Sequence, residues 1–191
     1  NPYGDLRFEG EAPLPLAARN PEGVLYMGSF SKVLAPGLRL GFVVAPKSVY
    51  GKLVQAKQAA DLHTPSFNQR VVAEVMKDGF LDRHIPTIRT LYKNQRDAML
   101  AALDQEMVGL GVSWTRPVGG MFLWVQLPEG MDAQKLLPLA VERGMAFVPG
   151  APFFPGNPQH NCLRLSYVTV PPAQIAQGIA ALAAAIKAYA Q

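Results

Sequence analysis

The sequence predicts an α/β fold, in which short apolar strands alternate with longer helices. Three observations support this class. Of the 191 residues, 49% are hydrophobic, which is enough for the packed core of one domain or of two small ones. Apolar runs of strand length alternate with segments whose apolar residues recur at helical spacing. Stretches rich in proline and glycine separate these segments, as turns and loops do.

The first part of the chain contains two predicted strands around a proline-glycine turn. Residues 24–27 and 38–45 are apolar and have the length of buried strands, with the turn at residues 36–37. Before them, prolines leave room for only a short helix within residues 12–19. Lys32 is therefore expected at a strand end, beside a hairpin-like return.

Three helices are predicted after these strands. Residues 47–60 carry an apolar stripe at helical spacing. Ser66 and Gln69 have the Ser-x-x-Gln form of a capping box, in which the hydroxyl and the amide satisfy free backbone donors at a helix start, so a second helix is expected from Ser66. A long amphipathic helix covers residues 81–103, with Pro86 as a kink.

Strands and helices also alternate in the C-terminal part. A helix capped by Asp132 is expected to be short or kinked because Pro138 lies inside it. The last helix is rich in alanine and is expected to begin at the Pro-Pro pair of residues 171–172. The expected strands are residues 112–115, 120–127, 146–148 and 162–167.

Side chains alternate between the two faces of the last predicted strand. Leu163, Leu165 and Tyr167 share one face, whereas Arg164 lies on the other, together with Cys162. Arg164 therefore points away from the apolar face. Taken alone, such an arginine is most often an exposed strand residue.

The residues around Lys32 suggest a reactive amine beside an anion site. A lysine amine is nucleophilic only when deprotonated, a state that a desolvated strand end favours, and it can then form a Schiff base with a carbonyl cofactor. Ser29 and Ser31 supply hydroxyl donors, and Arg39 supplies a planar fork suited to phosphate. The common alternative is a solvated lysine in a serine-rich turn. Apolar neighbours on both sides of Lys32 argue against it.

Motifs along the whole chain occur together in one known family. They are Ser-x-Ser-Lys at residues 29–32, Pro-Gly-Leu-Arg-Leu-Gly-Phe at residues 36–42, and the segments at residues 1–8, 55–64, 119–124, 147–154 and 161–167. In this order they resemble the class I/II aminotransferases, enzymes of fold type I that use pyridoxal 5′-phosphate (PLP). The likeness is strongest to the branch of 2-aminoadipate and broad-specificity aminotransferases.

The resemblance implies roles for individual side chains. Lys32 would hold PLP as a Schiff base and then move the proton during transfer. Tyr3 would bond the phenolic oxygen of PLP, although a tyrosine in a Pro-Tyr-Gly turn taken by itself more often serves packing. Arg164 would bind the α-carboxylate of the substrate. The implied cofactor-binding residues are Tyr3, Ser29, Ser31, Lys32 and Arg39.

The resemblance also implies an organisation and an activity. Residues 1–92 would be the C-terminal part of the large PLP-binding domain, with its mixed sheet, and residues 93–191 the small α+β domain. The chain would be the C-terminal half of a homodimeric enzyme and inactive alone, since the family's pyridine-binding aspartate falls before Asn1. Thr64 and Ser66 would lie at the dimer interface, near the partner's phosphate. The reaction would move an amino group between an L-amino acid (2-aminoadipate, aliphatic or aromatic) and a 2-oxo acid such as 2-oxoglutarate, as in lysine biosynthesis.

Two alternatives from other functional classes remain open at this point. One is the aminotransferase-like effector domain of a bacterial transcription regulator, which keeps the lysine. The other is a PLP-dependent lyase or decarboxylase on the same fold, in which Arg164 would be redundant or reassigned. A product assay distinguishes the second alternative from a transferase.

Composition argues against several other classes. No apolar run reaches the roughly 20 residues of a membrane helix, and no signal peptide precedes Asn1, so we expect a cytoplasmic protein without a membrane partner. Cys162 is the only cysteine, which fits a reducing compartment. The three histidines are scattered, so no metal is expected. The net charge of +4 comes from dispersed residues, which indicates no nucleic-acid partner.

Overall fold

A computed structural model describes residues 1–189 of the chain. The chain divides into two compact units, Asn1–Arg89 and Thr90–Gln191. The assignment of residues 1–92 and 93–191 to a large and a small domain stays a prediction.

The first unit contains one two-stranded sheet and several helices. Strands β1 (Tyr26–Ser29) and β2 (Gly41–Val44) are antiparallel, with Ser29 opposite Gly41. The helices are α1 (Leu16–Arg19), α2 (Lys47–Asp61), α3 (Ser66–Val75) and the start of α4 (Phe80–Glu106), and short 3-10 helices cover Gly4–Leu6, Pro36–Leu38 and Lys77–Gly79. The predicted hairpin-like return and the helix after it are confirmed.

The expectation that these strands are buried is wrong. Met27 on β1 is 69% exposed, and Val44 on β2 is 60% exposed. Among residues 1–89, the buried hydrophobic side chains are Leu6, Val33, Leu40 and Val72. Apolar composition and length predict a strand, but burial also requires a second layer packed against it. Within residues 1–189, neither β1 nor β2 is covered in this way.

The predicted capping box at the start of α3 is also wrong. The residue that flanks the helix is Pro65, and Ser66 is already the first helical residue. Its hydroxyl therefore lies one position too far along the chain to cap the free backbone donors. Gln69 instead donates from Nε2 to the carbonyl of Thr64 at 2.8 Å. This bond fastens the loop before α3 to the helix.

The second unit is built on a four-stranded antiparallel sheet. The strands are β3 (Ser113–Trp114), β4 (Phe122–Gln126), β5 (Val148–Pro149) and β6 (Cys162–Ser166), in the order β3-β4-β6-β5. Helices α5 (Ala133–Val141) and α6 (Pro172–Tyr189) pack against each other. The carboxylate of Asp132 accepts a 2.7 Å bond from the Gln134 amide and so caps α5, as predicted. The helix continues through Pro138 and ends at Val141.

The core of this unit lies on one face of its sheet. Leu163, Leu165 and Tyr167 are buried, as the alternation predicts, and Arg164 is half-buried on the opposite face. Cys162 shares that opposite face and is nevertheless fully buried, because Gly150 packs directly over it. Further buried side chains are Leu103 of α4, Leu123 and Val125 of β4, Leu136 and Ala140 of α5, and Ile179 and Leu182 of α6.

Candidate functional site

Lys32 lies in a tight turn directly after β1. The amides of Leu34 and Ala35 both donate to the carbonyl of Phe30, at 2.9 and 3.1 Å. The Phe30 amide donates in turn to the Leu40 carbonyl, at 3.2 Å, which ties the start of the turn to the residue before β2. Val33 is buried beneath the turn, at 5% exposure. The half-buried Lys32 is thus carried on a backbone held at both ends.

Two serine hydroxyls lie beside Lys32 in the same segment. Ser29 Oγ accepts a 3.1 Å bond from the Ser31 amide and donates a 2.9 Å bond to Ser31 Oγ. The hydroxyl hydrogen of Ser29 therefore already has an acceptor, the Ser31 hydroxyl oxygen. Among the described residues, the hydroxyl hydrogen of Ser31 has no acceptor. It is therefore free to donate to a bound anion.

The amino-terminal segment brings Tyr3 to Lys32. The Lys32 Nζ atom lies 5.8 Å from the centroid of the Tyr3 ring, within the range of a cation–π contact. The segment is anchored by the fully buried Leu6 and by a 2.7 Å bond from Arg89 Nε to the Asp5 carbonyl. The structure therefore brings together two residues that are distant in sequence.

Arg39 occupies a left-handed backbone conformation, with φ 53° and ψ 41°. This conformation costs a non-glycine residue about 1 kcal/mol or more. Its amide and its Nη1 atom both donate to the Pro36 carbonyl, at 3.2 and 3.0 Å. The turn is further held by Asn68, whose Nδ2 donates to the Leu38 carbonyl at 3.1 Å. The Nε and Nη2 donors of the exposed Arg39 have no partner in the described part of the chain.

The donors of this segment fit a phosphorylated carbonyl compound. The Ser31 hydroxyl hydrogen and the Nε and Nη2 groups of Arg39 are available donors, and a phosphate accepts several hydrogen bonds at once. Lys32 adds an amine that can bond covalently to a carbonyl carbon. Among residues 1–189, no group of three or more metal-ligating side chains is present.

Arg164 belongs to the second unit and lies in the middle of β6. It stands opposite Trp124 of β4 on one side and Val148 of β5 on the other. Its Cζ atom lies 4.0 Å from the ring centroid of Phe122 and 4.8 Å from that of Phe153. Its guanidinium N–H groups have no hydrogen-bond or ion-pair partner within residues 1–189. Such a half-buried cation can bind an anion.

Of the predicted site residues, the first unit thus contains Tyr3, Ser29, Ser31, Lys32 and Arg39, and the second contains Arg164. Thr64 lines a pocket of about 690 Å³ within the first unit. Its neighbours there include His63 and Phe42. Ser66 is the first residue of α3. Within residues 1–189, no helix is long and apolar enough to cross a bilayer.

Comparison with known proteins identifies the family. The family model for aminotransferase class I and II matches residues 2–182. The chain belongs to this aminotransferase family. It is 50% identical to the 2-aminoadipate transaminase of Thermus thermophilus over 97% of this chain and 47% of that protein. It is 47% identical to aromatic-amino-acid aminotransferase 1 of Thermococcus litoralis, over 98% of this chain and 45% of that protein.

A solved aminotransferase structure confirms the fold. The chain matches the α-aminoadipate aminotransferase LysN of Thermus thermophilus, complexed with N-(5′-phosphopyridoxyl)-L-leucine, with 49% identity and a TM-score of 0.90. The match covers 98% of this chain and 49% of that one. The resemblance inferred from the motifs, and the α/β fold-type I class, are therefore confirmed. The chain spans about half the length of the curated relatives it matches.

Sequence reasoning missed three side chains that contact the candidate site residues or the turns that hold them. Asn68 supports the turn before Arg39, although the two are separated by a strand and a helix. Phe122 and Phe153 contact Arg164. The motifs at residues 119–124 and 147–154 contain both rings, but their contact with the arginine depends on strand register and loop geometry. No local sequence signal indicates either.

Proposed function

We propose that the protein to which this chain belongs is a PLP-dependent aminotransferase. It moves an amino group between an L-amino acid (2-aminoadipate, aliphatic or aromatic) and a 2-oxo acid such as 2-oxoglutarate. Family membership and two relatives of 47% and 50% identity, both named as aminotransferases, support this. The main observation in support of the proposal is the position of Lys32. Its Nζ atom lies 5.8 Å from the centroid of the Tyr3 ring, and the hydrogen-bonded hydroxyls of Ser29 and Ser31 lie in the same segment of the chain.

The residues of the first unit bind the cofactor in this proposal. When bound, PLP supplies the electron sink that makes the α-proton of the amino acid acidic. Lys32 would hold PLP covalently through Nζ, and once the substrate's amine has displaced it at the carbonyl carbon, its free Nζ would accept and return that proton. The Ser31 hydroxyl and the free donors of Arg39 bind the phosphate, and Ser29 orients Ser31. The Tyr3 hydroxyl donates a hydrogen bond to the phenolic oxygen of PLP.

Arg164 binds the substrate in this proposal. Its guanidinium has donors without a partner in residues 1–189, and a carboxylate can accept two parallel bonds from such a fork. Two charge-assisted bonds orient the amino acid as well as bind it, so that its Cα–H bond is presented for deprotonation. Every α-amino acid carries this carboxylate. The role therefore suits an enzyme with several substrates.

Finer features of the function rest on the family and on composition. We propose a homodimer whose site lies at the subunit interface, near Thr64 and Ser66. We also propose a cytoplasmic location, which suits a chain with one cysteine, and a role in lysine biosynthesis. We also propose that residues 1–191 alone are inactive, since they span only about half of their relatives. The alternatives, a regulator's effector domain or a PLP lyase, have no observation in the described residues that favours them.

Borohydride reduction of the full-length protein tests the cofactor assignment. PLP bound to a lysine amine absorbs near-visible light, and reduction makes the linkage permanent. We expect the peptide that contains Lys32 to carry the added mass, and glutamate to form from 2-oxoglutarate when 2-aminoadipate is the donor. Label on another lysine would refute the role of Lys32. Release of carbon dioxide or ammonia without glutamate would favour the lyase.

A further inference from the structure

The surroundings of Arg164 differ from those of the other buried or half-buried arginine in the second unit. Arg96 is 4% exposed and has a polar partner and a charged one: Nη1 donates to the Pro117 carbonyl at 2.6 Å, and Nε forms an ion pair with Asp97 Oδ1 at 2.7 Å. Arg164 has no such partner within residues 1–189. Two aromatic rings contact it instead. Its position is therefore set by contacts that leave its hydrogen-bond donors free.

The two rings reach Arg164 from different elements. Phe122 is the first residue of β4 and pairs with Ser166, so it is the diagonal cross-strand neighbour of Arg164. Phe153 ends the 3-10 helix Ala151–Phe153, which follows β5. Phe153 is itself held by Trp124, whose ring meets it edge-on at 5.7 Å. Sheet register and loop packing together place the rings against the cation.

An aromatic face attracts a cation without using its N–H groups. The ring quadrupole stabilises the guanidinium electrostatically, and Arg is the cation that most often stacks in this way. A carboxylate partner would hold Arg164 equally well, but it would occupy the donors that a substrate needs. Aromatic contacts restrict the orientation of the guanidinium and leave those donors available.

We propose that Phe122 and Phe153 are positioning residues of Arg164, which hold the guanidinium so that it receives the carboxylate of every amino-acid substrate in one orientation. This inference rests on the proposed function. It assigns the rings no contact with the substrate side chain. Loss of either ring therefore weakens binding of all carboxylate substrates by a similar factor, and leaves cofactor binding unchanged.

The test uses the PLP-loaded, full-length protein and the variants Phe122→Leu and Phe153→Leu. The probe is 4-methylpentanoate, the carboxylate that leucine becomes without its amino group, and its affinity is measured by calorimetry. We expect an affinity loss of about 5- to 30-fold in each variant, corresponding to about 1–2 kcal/mol. The KM values of 2-aminoadipate, leucine and phenylalanine rise by a similar factor. Phe122→Tyr keeps an aromatic face and retains affinity within about threefold.

Phe154→Leu is the matched control. Phe154 also contacts Trp124, at 6.2 Å, but within residues 1–189 its ring makes no cation–π contact with Arg164. The carboxylate affinity of this variant stays at the wild-type value. If Phe122→Leu does not fold, Phe153→Leu supplies the same measurement.

The possible failures are distinguishable from one another. An active wild type with unchanged carboxylate affinity in both leucine variants would overturn this inference alone. So would a loss confined to one amino acid, since a ring that reads the side chain affects substrates unequally. A full-length wild type that transfers no amino group would overturn the proposed function and this inference with it.

Discussion

Substitution of Gly150 by alanine tests how the loop after β5 is held against the sheet. The backbone of Gly150 has φ −79° and ψ −25°, which alanine adopts without strain. The added methyl group is the difficulty. It would lie 2.8 Å from Trp124 Cη2 and 2.8 Å from the Cys162 carbonyl oxygen, and it would also overlap with the Cys162 sulfur. The carbonyl cannot move freely, since it accepts a 2.7 Å bond from the Gly150 amide.

The magnitude follows from this overlap. Overpacking by one methyl group against a fixed backbone typically costs about 1–3 kcal/mol of folding free energy. For a unit of about 100 residues, each kcal/mol lowers the melting temperature by about 4–8 °C. We therefore expect Gly150→Ala to lower the melting temperature of the unit that contains it by about 4–24 °C. Differential scanning calorimetry of the full-length protein measures this shift.

Gly156→Ala is the matched control in the same loop. Within residues 1–189, nothing lies within 4 Å of a methyl group added there, and the φ of Gly156 is not positive. We expect this variant to unfold at the wild-type temperature or slightly above it, because alanine reduces the entropy of the unfolded chain. Equal melting temperatures for Gly150→Ala and Gly156→Ala would refute the argument from close packing. Any shift of Trp124 in Gly150→Ala would also disturb Phe153 and so raise KM for all substrates.

Three further predictions concern charge and proton binding. Arg39→Ala weakens PLP retention on dialysis more than Lys32→Ala does, because about 1.5–3 kcal/mol of charge-assisted bonding to the phosphate is lost. Equal PLP retention in the two variants would contradict this. Arg164→Lys lowers kcat/KM about 10- to 100-fold for 2-aminoadipate, leucine and phenylalanine alike, because lysine keeps the charge but loses the planar guanidinium fork. A defect confined to 2-aminoadipate would instead place Arg164 in the side-chain pocket. Burial raises the pKa of Tyr167, whose hydroxyl donates to the Gly119 carbonyl at 3.2 Å. The raised pKa means that folding favours the neutral form, so its contribution to stability is complete below the ordinary value of 10.0 and declines as the pH rises above it. Denaturant titrations from about pH 8 to 11 should show a steeper loss of stability in wild type than in Tyr167→Phe, and parallel curves would contradict the assignment.

Local sequence patterns were sufficient to predict the secondary structure and the chemistry of the candidate residues. Helical spacing predicted α2 and α6, and the apolar runs around a Pro-Gly turn predicted β1 and β2. Strand alternation placed Leu165 and Arg164 on opposite faces. These properties depend on neighbours within a few residues, so a single chain carries them. The order of the motifs along the chain indicated the family, and this inference requires no three-dimensional information.

Surface burial and contacts between distant residues, by contrast, depend on the three-dimensional packing of the elements. Within residues 1–189, Tyr26 and Met27 of β1 are exposed and Cys162 is buried, although the local pattern indicates the reverse for both. Asn68 reaches the turn before Arg39, and Phe122 reaches Arg164, through packing and strand register. Such contacts join elements that are distant in sequence, and their free energy depends on the relative position of two backbones. No window of neighbouring residues contains that information.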